Sequence, residues 1–346
     1  AYLFKNLKAR QQATAAAVAV LVSNMVGVTM AFAGFAYWAL ATQNLIYVAV
    51  NIGIQWHYSP WRPTLHGITF APVRRMFRFS CKVLATTIVN HVNNNVLNIL
   101  LGHYFSPHDT GNFNQAYQWN MKSYSLVQSM ILQVAQPVLV GLDDDADRQL
   151  RVFRKMVRFT SFVTFPLLFG FALVSREFIV IALTEKWLAS ASLLQLLCIS
   201  GAVMPLCALF NNMVVSKGRS DILLWCTFSL GLLLTLMMLV IWPWGIHVMV
   251  VAFVVINVSW LFVWLYFVRR LTGYGYLMFV RDVLPFAIAA VAVMSLTYFA
   301  TQSIQNLWIL LLSRIAIAAT AYYAVMRVAH VAILDECIDF IRGKMK

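Results

Sequence analysis

Residues 221–268 decide the fold, and they read DILLWCTFSLGLLLTLMMLVIWPWGIHVMVVAFVVINVSWLFVWLYFV. Two apolar runs, each of about twenty residues, flank the four residues 242–245, which are Trp-Pro-Trp-Gly. A helix of that length crosses a hydrocarbon core of about 30 Å, since each residue adds about 1.5 Å. Proline and glycine end helices and favour turns. The stretch therefore predicts a helical hairpin that crosses a membrane twice.

The rest of the chain has the same character. Apolar residues make up 61% of the 346 residues and charged residues only 11%, whereas soluble proteins carry roughly 25% charged residues. The apolar residues fall in long runs and do not alternate with polar ones as they would in a β-barrel. We predict an all-α, polytopic transmembrane helix bundle of about ten spans. The spans cover approximately residues 14–34, 36–54, 80–101, 113–140, 158–175, 190–214, 221–241, 246–268, 283–301 and 307–328.

The basic residues indicate which ends of these spans face the cytoplasm. Lysine and arginine near span ends are retained on the cytoplasmic side. Alternate connections carry nearly all of them, and the remaining connections contain only Arg176 and Lys186. We therefore predict that both termini of the chain are cytoplasmic. This orientation, together with contact to membrane lipids, explains the net charge of +14, so no nucleic acid is predicted as a partner.

No residue pattern indicates an enzyme, a metal centre or a cofactor site. The five cysteines lie far apart without a C-x-x-C pair, and we interpret them as small apolar residues among the helices. No phosphate-binding glycine loop, nucleophile-elbow serine motif or zinc-protease motif occurs. The acidic run Asp143–Asp147 lacks the spacing of a metal site and is predicted to be a solvated loop that caps the next helix. Residues 63–82 mix phenylalanine with arginine, which predicts a helix in the membrane interface.

Two of the predicted spans carry rows of polar residues. On the third span, residues spaced by four share one face, and they are Lys82, Thr86, Asn90, Asn94 and Asn98. On the fourth span, polar residues recur every three or four positions along about 32 Å of helix, roughly the depth of a membrane. They are Gln115, Gln118, Lys122, Ser125, Ser129, Gln133 and Gln136. An unpaired polar group in hydrocarbon costs several kcal/mol, so both rows must face protein or water.

Two interpretations of these rows remain open. The side chains could hold neighbouring helices together through hydrogen bonds of about 1 kcal/mol each. Alternatively they line a hydrated substrate path, which a row of full membrane length favours. Lys122 is then the main candidate contact, because a charged group inside a membrane is functional by default. Lys82 lies near the end of its span and can snorkel to the interface, and Arg314 is expected to snorkel or to pair with another helix.

The residue types in the rows favour a particular cargo. Lysines in a wet path suit an anionic group, and amides suit sugar hydroxyls because they donate and accept hydrogen bonds at once. Both features fit a glycan carried on a lipid phosphate.

Short motifs occur along essentially the whole chain in a characteristic order. They are Phe35–Leu40, Trp61–Pro63, the Asn-rich third span, Gly111–Tyr117, Gln136–Leu139, Asp143–Asp145 before Arg151, and Thr184–Trp187. In order and spacing, these motifs resemble the Wzx-type polysaccharide flippases of the polysaccharide transporter family, within the multidrug/oligosaccharidyl-lipid/polysaccharide exporter superfamily. The third and fourth spans would then be cavity-lining helices.

By this resemblance, the chain has the flippase fold without roughly its first four helices. Residues 1–57 would be the last two helices of the first lobe, and residues 58–79 an interfacial cytoplasmic connection. Residues 80–268 would be the second six-helix lobe, 269–329 the final helix pair and 330–346 a cytoplasmic tail. The chain begins with Ala1, so a fragment and a natural truncation are both open.

The resemblance also implies a function. The protein would move undecaprenyl-pyrophosphate-linked oligosaccharide from the cytoplasmic to the periplasmic leaflet of the bacterial inner membrane by alternating access, in lipopolysaccharide or O-antigen biosynthesis. Its partners would be the lipid-linked oligosaccharide, membrane lipids and polysaccharide assembly proteins. A cation-coupled small-molecule exporter is one alternative, although the acidic residues are all predicted in connections, tails or span ends. A membrane glycan polymerase or ligase and a non-transporting remnant or assembly subunit are the others.

Overall fold

The protein is all-helical in the part of the chain that is described. The computed structural model describes residues 9–58, 77, 84, 88, 92, 99–141, 145–329, 331 and 333–336. Outside this description are the side chains of residues 9, 10, 12, 13, 36, 132–134, 136, 137 and 140. The regular elements within the described ranges are helices, so the all-α prediction is confirmed. The chain divides into two compact units, residues 1–78 and residues 79–346, which we call unit 1 and unit 2.

Long helices occupy most of the predicted spans, and one short helix of nine residues lies between two of them. They are α1 (Ala9–Phe32), α2 (Ala36–Tyr58), α3 (Pro107–Gly141), α4 (Ala146–Leu173), α5 (Ser175–Leu183), α6 (Leu188–Ser216), α7 (Ser220–Ile241), α8 (Ile246–Thr272), α9 (Tyr276–Ala300) and α10 (Leu307–Val328). Among the described residues, seven helices are long and apolar enough to cross a membrane, namely α1, α4 and α6 to α10. The protein is therefore a multi-pass membrane protein.

The remaining predicted spans are the more polar ones. The helices α2 and α3 have 23 and 35 residues, long enough to cross a bilayer, but they carry many amides and hydroxyls. The predicted third span, residues 80–101, lies almost entirely outside the described residues, as does nearly all of the predicted interfacial helix at 63–82. The count of about ten spans and the assignment to lobes stay predictions.

Several helices begin earlier than their apolar runs. Helix α4 starts at Ala146, not at residue 158, and Oδ1 of Asp145 accepts a hydrogen bond of 2.9 Å from the backbone N–H of Arg148. The predicted capping by the acidic run is thus confirmed for Asp145, while Asp143 and Asp144 lie outside the described residues. Helix α9 starts at Tyr276, not at residue 283. In α4 polar residues fill the first turns, so an apolar count misses them. In α9 the first five residues are largely apolar, but Arg281 and Asp282 separate them from the longer apolar run.

The described part of unit 1, residues 9–58, forms a helical hairpin whose helices approach along small residues. The buried residues of α1 include a set spaced by four: Ala15, Ala19, Ser23 and Gly27. Small side chains at this spacing allow close helix packing in a membrane. A Cβ at Gly27 would lie 3.1 Å from the Gln43 side chain of α2, whose Nε2 donates a hydrogen bond of 2.6 Å to Oδ1 of Asn24. The turn uses Gly34, whose φ of 84° favours glycine.

The central helix of unit 2 is α6, which packs against α3, α4, α5, α7 and α8. Its buried residues include Leu194, Leu197, Cys198, Gly201, Leu206 and Leu209. Helix α4 packs on its other side against α9 and α10. Helix α3 therefore has one face fixed against α6, and this orients its other face, which carries the predicted polar row.

The close approach of α3 to α6 depends on Gly201. Replacing Gly201 with alanine is expected to destabilise the protein by about 1–3 kcal/mol, the usual cost of overpacking a filled core. The added Cβ would overlap Oδ1 of Asn120, and it would lie 3.1 Å from Cγ of Asn120 and 3.2 Å from Cδ1 of Leu168. Thermal unfolding of the purified protein in detergent measures the loss.

Two further variants make this prediction specific. The double variant Gly201→Ala, Asn120→Ala should recover most of the lost stability, because the colliding amide is gone. Gly170→Ala is the matched control, since its Cβ would meet only the flexible end of Met294, at 3.4 Å. Equal losses for Gly201→Ala and Gly170→Ala would show that the contact with Asn120 is unimportant.

Candidate substrate path

The structure describes part of the predicted polar rows. On α3, Gln115 and Gln118 are half-buried, whereas Lys122, Ser125 and Ser129 are exposed. Gln133 and Gln136 belong to α3, but their side chains lie outside the described residues. The row on the third span also lies outside them, and it comprises Lys82, Thr86, Asn90, Asn94 and Asn98. The description of the site therefore rests on the first two-thirds of α3.

The opposite face of α3 packs into unit 2. Its buried residues are Phe113, Ala116, Asn120, Val127, Ile131 and Ala135, which lie about 180° around the helix from the polar row at about 100° per residue. This face contacts α6 and α4. The polar row consequently points away from the core of unit 2.

The hydroxyls of the row do not link helices in the described part of the chain. The Oγ of Ser125 donates to the carbonyl oxygen of Lys122 at 3.0 Å, and the Oγ of Ser129 donates to that of Leu126 at 2.9 Å. A side-chain hydrogen bond does link α3 to α6, but it lies on the packing face, where Ser190 Oγ donates to Oδ1 of Asn112 at 2.9 Å. At Ser125 and Ser129, interhelical hydrogen bonding therefore does not explain the row.

The exposed surface of α3 is also less uniform than the polar row predicts. Leu126 and Met130 lie beside the serines, and 61% and 67% of their respective surfaces are exposed. The surface thus combines one cation, hydroxyls, amides and apolar side chains.

An aromatic residue that the polar pattern did not include lies beside Lys122. The Nζ of Lys122 is 4.6 Å from the centroid of the Trp119 ring, within cation–π distance. Trp119 is half-buried, and its ring lies nearly perpendicular to that of Phe178 of α5, with centroids 4.8 Å apart. The signal was present in the sequence, because residues three apart on a helix are neighbours.

Arg314 pairs with another helix, one of the two outcomes expected for it. Its Nη1 lies 2.9 Å from Oε1 of Glu177, and the two side chains are 7% and 2% exposed. The guanidinium also donates to Thr301 Oγ1 and to the Leu173 carbonyl oxygen, both at 3.1 Å. Glu177 lies in α5, a helix of nine residues between the predicted spans 158–175 and 190–214, and it is buried. A buried carboxylate tolerates this position because the arginine compensates its charge.

A second buried carboxylate, Asp282, ties α9 to α4. Its oxygens accept hydrogen bonds from Nε of Arg154 at 2.8 Å and from Nε of Arg158 at 2.6 Å. The Tyr274 hydroxyl donates to it at 3.3 Å. Burial raises the pKa of Tyr274, and the Asp282 carboxylate raises it further, so the hydroxyl stays a donor. The hydrogen-bonding capacity of the Asp282 carboxylate is used by these three residues, so we interpret the cluster as a structural contact between α4 and α9.

Comparison with known proteins gives consistent results. The chain is 26% identical to lipopolysaccharide biosynthesis protein WzxC of Escherichia coli over 57% of its own length and 41% of that protein. It is 29% identical to teichuronic acid biosynthesis protein TuaB of Bacillus subtilis over 43% of its own length and 31% of that protein. The chain thus spans less than half the length of these curated relatives.

A solved structure shares the fold. The lipid II flippase MurJ in its inward closed conformation superposes with a TM-score of 0.73 at 13% identity, over 92% of this chain and 68% of MurJ. The family resemblance inferred from the short motifs is confirmed by a sequence-family match that covers residues 1–192, more than half of the chain. The protein belongs to the family described as polysaccharide biosynthesis protein.

Proposed function

We propose that the protein moves a lipid-linked oligosaccharide across a membrane and that the exposed face of α3 contacts the cargo. The proposal extends to the predicted details: an undecaprenyl-pyrophosphate carrier, transfer from the cytoplasmic to the periplasmic leaflet by alternating access, and a bacterial inner membrane with both termini cytoplasmic. The cargo would serve surface polysaccharide biosynthesis.

The observation that supports this proposal best is the placement of Lys122. Within the predicted span 113–140, the residue lies about 13 Å from one end and about 27 Å from the other, at about 1.5 Å per residue. Its side chain is exposed on the face opposite the core of unit 2. A lysine this far inside a span reaches the interface poorly by snorkelling, so it needs water or an anion beside it.

The neighbours of Lys122 suit the rest of such a cargo. Gln118 and Gln115, one and two turns away from Lys122, offer amide donors and acceptors to sugar hydroxyls, and the ammonium suits a pyrophosphate. We extend the path to Lys82, Asn90, Asn94 and Asn98 and to Gln133 and Gln136, as predicted from the sequence. The names of the relatives, in lipopolysaccharide and teichuronic acid biosynthesis, support a polysaccharide context.

A leaflet-resolved assay tests the proposal. Cells that build the lipid-linked oligosaccharide but lack a flippase for it are compared with and without the protein, expressed from its complete coding sequence. Spheroplasts are treated with a membrane-impermeant glycosidase, which digests only oligosaccharide in the outer leaflet. We expect digestion only when the protein is present. Oligosaccharide that stays protected although the protein is inserted would overturn the proposal.

The same assay separates the alternatives. A glycan polymerase or ligase would change the length or attachment of the glycan, and a small-molecule exporter or an assembly subunit would leave the lipid-linked pool unchanged. An exporter coupled to cations would also need an available carboxylate in the membrane. Among the described residues, Glu177 and Asp282 are buried carboxylates, and each is already paired with arginine.

A further inference from the structure

We propose that Trp119 is a sugar-stacking residue and that, with Lys122, it forms a subsite for the first sugar phosphate of the cargo. This inference rests on the proposed function, because it specifies which part of the lipid-linked oligosaccharide contacts α3. Nothing in the polar pattern of the sequence pointed to Trp119. The inference comes from the aromatic contacts around it.

The indole of Trp119 has two different neighbours. Its ring lies nearly perpendicular to that of Phe178 of α5, with centroids 4.8 Å apart and an interplanar angle of 80°, and Phe178 in turn contacts Phe171 of α4 at 5.1 Å. This chain of aromatic rings fixes the indole independently of Lys122. One face of the ring carries the Lys122 ammonium, which is exposed. The braced ring therefore keeps its orientation if the lysine moves away.

The lysine has a stronger partner when a phosphate arrives. A cation–π contact at an exposed site is weaker than a charge-assisted hydrogen bond between an ammonium and a phosphate oxygen. The ammonium is therefore expected to leave the ring for the phosphate. That movement uncovers the indole face next to the bound anion.

An uncovered aromatic face beside amides is suited to a sugar ring. The C–H groups of a pyranose form an apolar face that packs on an aromatic ring, while its hydroxyls need donors and acceptors. Gln118 is adjacent to Trp119 in the chain, and Gln115 lies one turn before it. Because Lys122 and Trp119 are three residues apart on one helix, a phosphate held by the displaced ammonium stays within about one turn of the ring, so the sugar that stacks is the one bonded directly to the phosphate.

Equilibrium dialysis with soluble probes tests the subsite in the purified protein. The protein is held in nanodiscs of neutral phosphatidylcholine, so that no anionic headgroup competes, and N-acetylglucosamine 1-phosphate is compared with inorganic phosphate. We expect the sugar phosphate to bind about two- to tenfold more tightly than inorganic phosphate. In Trp119→Leu this preference should disappear while phosphate binding persists, and Trp119→Phe should retain part of it.

The controls separate the possible failures. Trp308→Leu removes a tryptophan of α10 that is 61% exposed, and it should keep the full preference. Unfolding temperatures of all variants identify any that are misfolded, and the graded Trp119→Phe variant remains informative if Trp119→Leu is not stable. If the preference survives in Trp119→Leu, or is absent in the wild type, the sugar-stacking role is wrong, whereas the flippase proposal depends only on the leaflet assay. If neither probe binds, the sugar-phosphate subsite on α3 is wrong as a whole.

Discussion

Replacing Lys122 with alanine is expected to lower delivery of oligosaccharide to the outer leaflet at least about tenfold. A hydrogen bond to a charged group contributes about 1.5–3 kcal/mol, and each 1.4 kcal/mol changes an equilibrium about tenfold. Lys122 is exposed near the middle of α3, and the sequence of that helix contains no other lysine or arginine. No other side chain of α3 can therefore supply the positive charge. The leaflet-resolved glycosidase assay, together with the level of surface polysaccharide, measures the effect.

Two variants accompany Lys122→Ala. Lys122→Arg keeps the positive charge and should retain much of the transport, although the guanidinium differs in shape and hydration. Lys186→Ala removes another exposed lysine, in the turn before α6, and should leave transport unchanged. Normal surface polysaccharide in cells that carry Lys122→Ala would show that the assigned role of this lysine is wrong.

Replacing Arg314 with methionine is expected to lower the free energy of unfolding by about 3–5 kcal/mol, because it leaves the Glu177 carboxylate buried without its counter-charge. Both side chains are more than nine-tenths buried, and one carboxylate oxygen, Oε2, lacks a hydrogen-bond partner in the described structure even when Arg314 is present. Water cannot compensate the charge without opening the packing of α5 against α10. Unfolding by denaturant in mixed micelles measures the difference.

The double variant Glu177→Gln, Arg314→Met should recover a large part of the loss, since no unpaired charge remains. Arg176→Ala is the matched control: Arg176 is next to Glu177 in the chain but exposed, and its removal should change the stability by less than about 0.5 kcal/mol. A loss of equal size in Arg176→Ala and Arg314→Met would mean that burial of the ion pair is not the cause.

The sequence predicted the seven described helices that are long and apolar enough to cross a membrane, because the bilayer imposes one length and one polarity on such helices. It predicted the ends of the helices less well. Helix α3 extends back to Pro107 because Ser106 caps it, with its Oγ accepting a hydrogen bond of 3.1 Å from the backbone N–H of Asp109. An apolar run does not register a polar first turn of this kind.

The sequence pattern also did not predict which polar residues pair with each other when they are distant in the chain. Asp282 is buried because Arg154 and Arg158 reach it from 128 and 124 positions away. Arg314 pairs with Glu177 on a helix that had been assigned to a connection. Periodicity describes one helix at a time, so it identifies a polar residue but not the helix that satisfies it.

The candidate path was likewise predicted only in part from the sequence. The polar residues of α3 recur at intervals of three or four positions, and this spacing correctly separates the exposed face of the helix from its packing face at Asn120 and Val127. It omitted Trp119, because an aromatic ring counts as apolar in such a pattern, although its contact with Lys122 follows from their spacing. The row on the third span remains a prediction.

The arginine pairs of the buried carboxylates Asp282 and Glu177 restrict how α9 and α10 can move. Asp282 fastens the beginning of α9 to α4, while Arg314 fastens α10 to α5 beside Thr301, just beyond the other end of α9. The two fastenings are about 28 Å apart along α9, at about 1.5 Å per residue. A helix attached near both ends can neither slide nor rotate against the helices that hold it. We therefore expect α9 and α10 to move together with α4 and α5 as one rigid group.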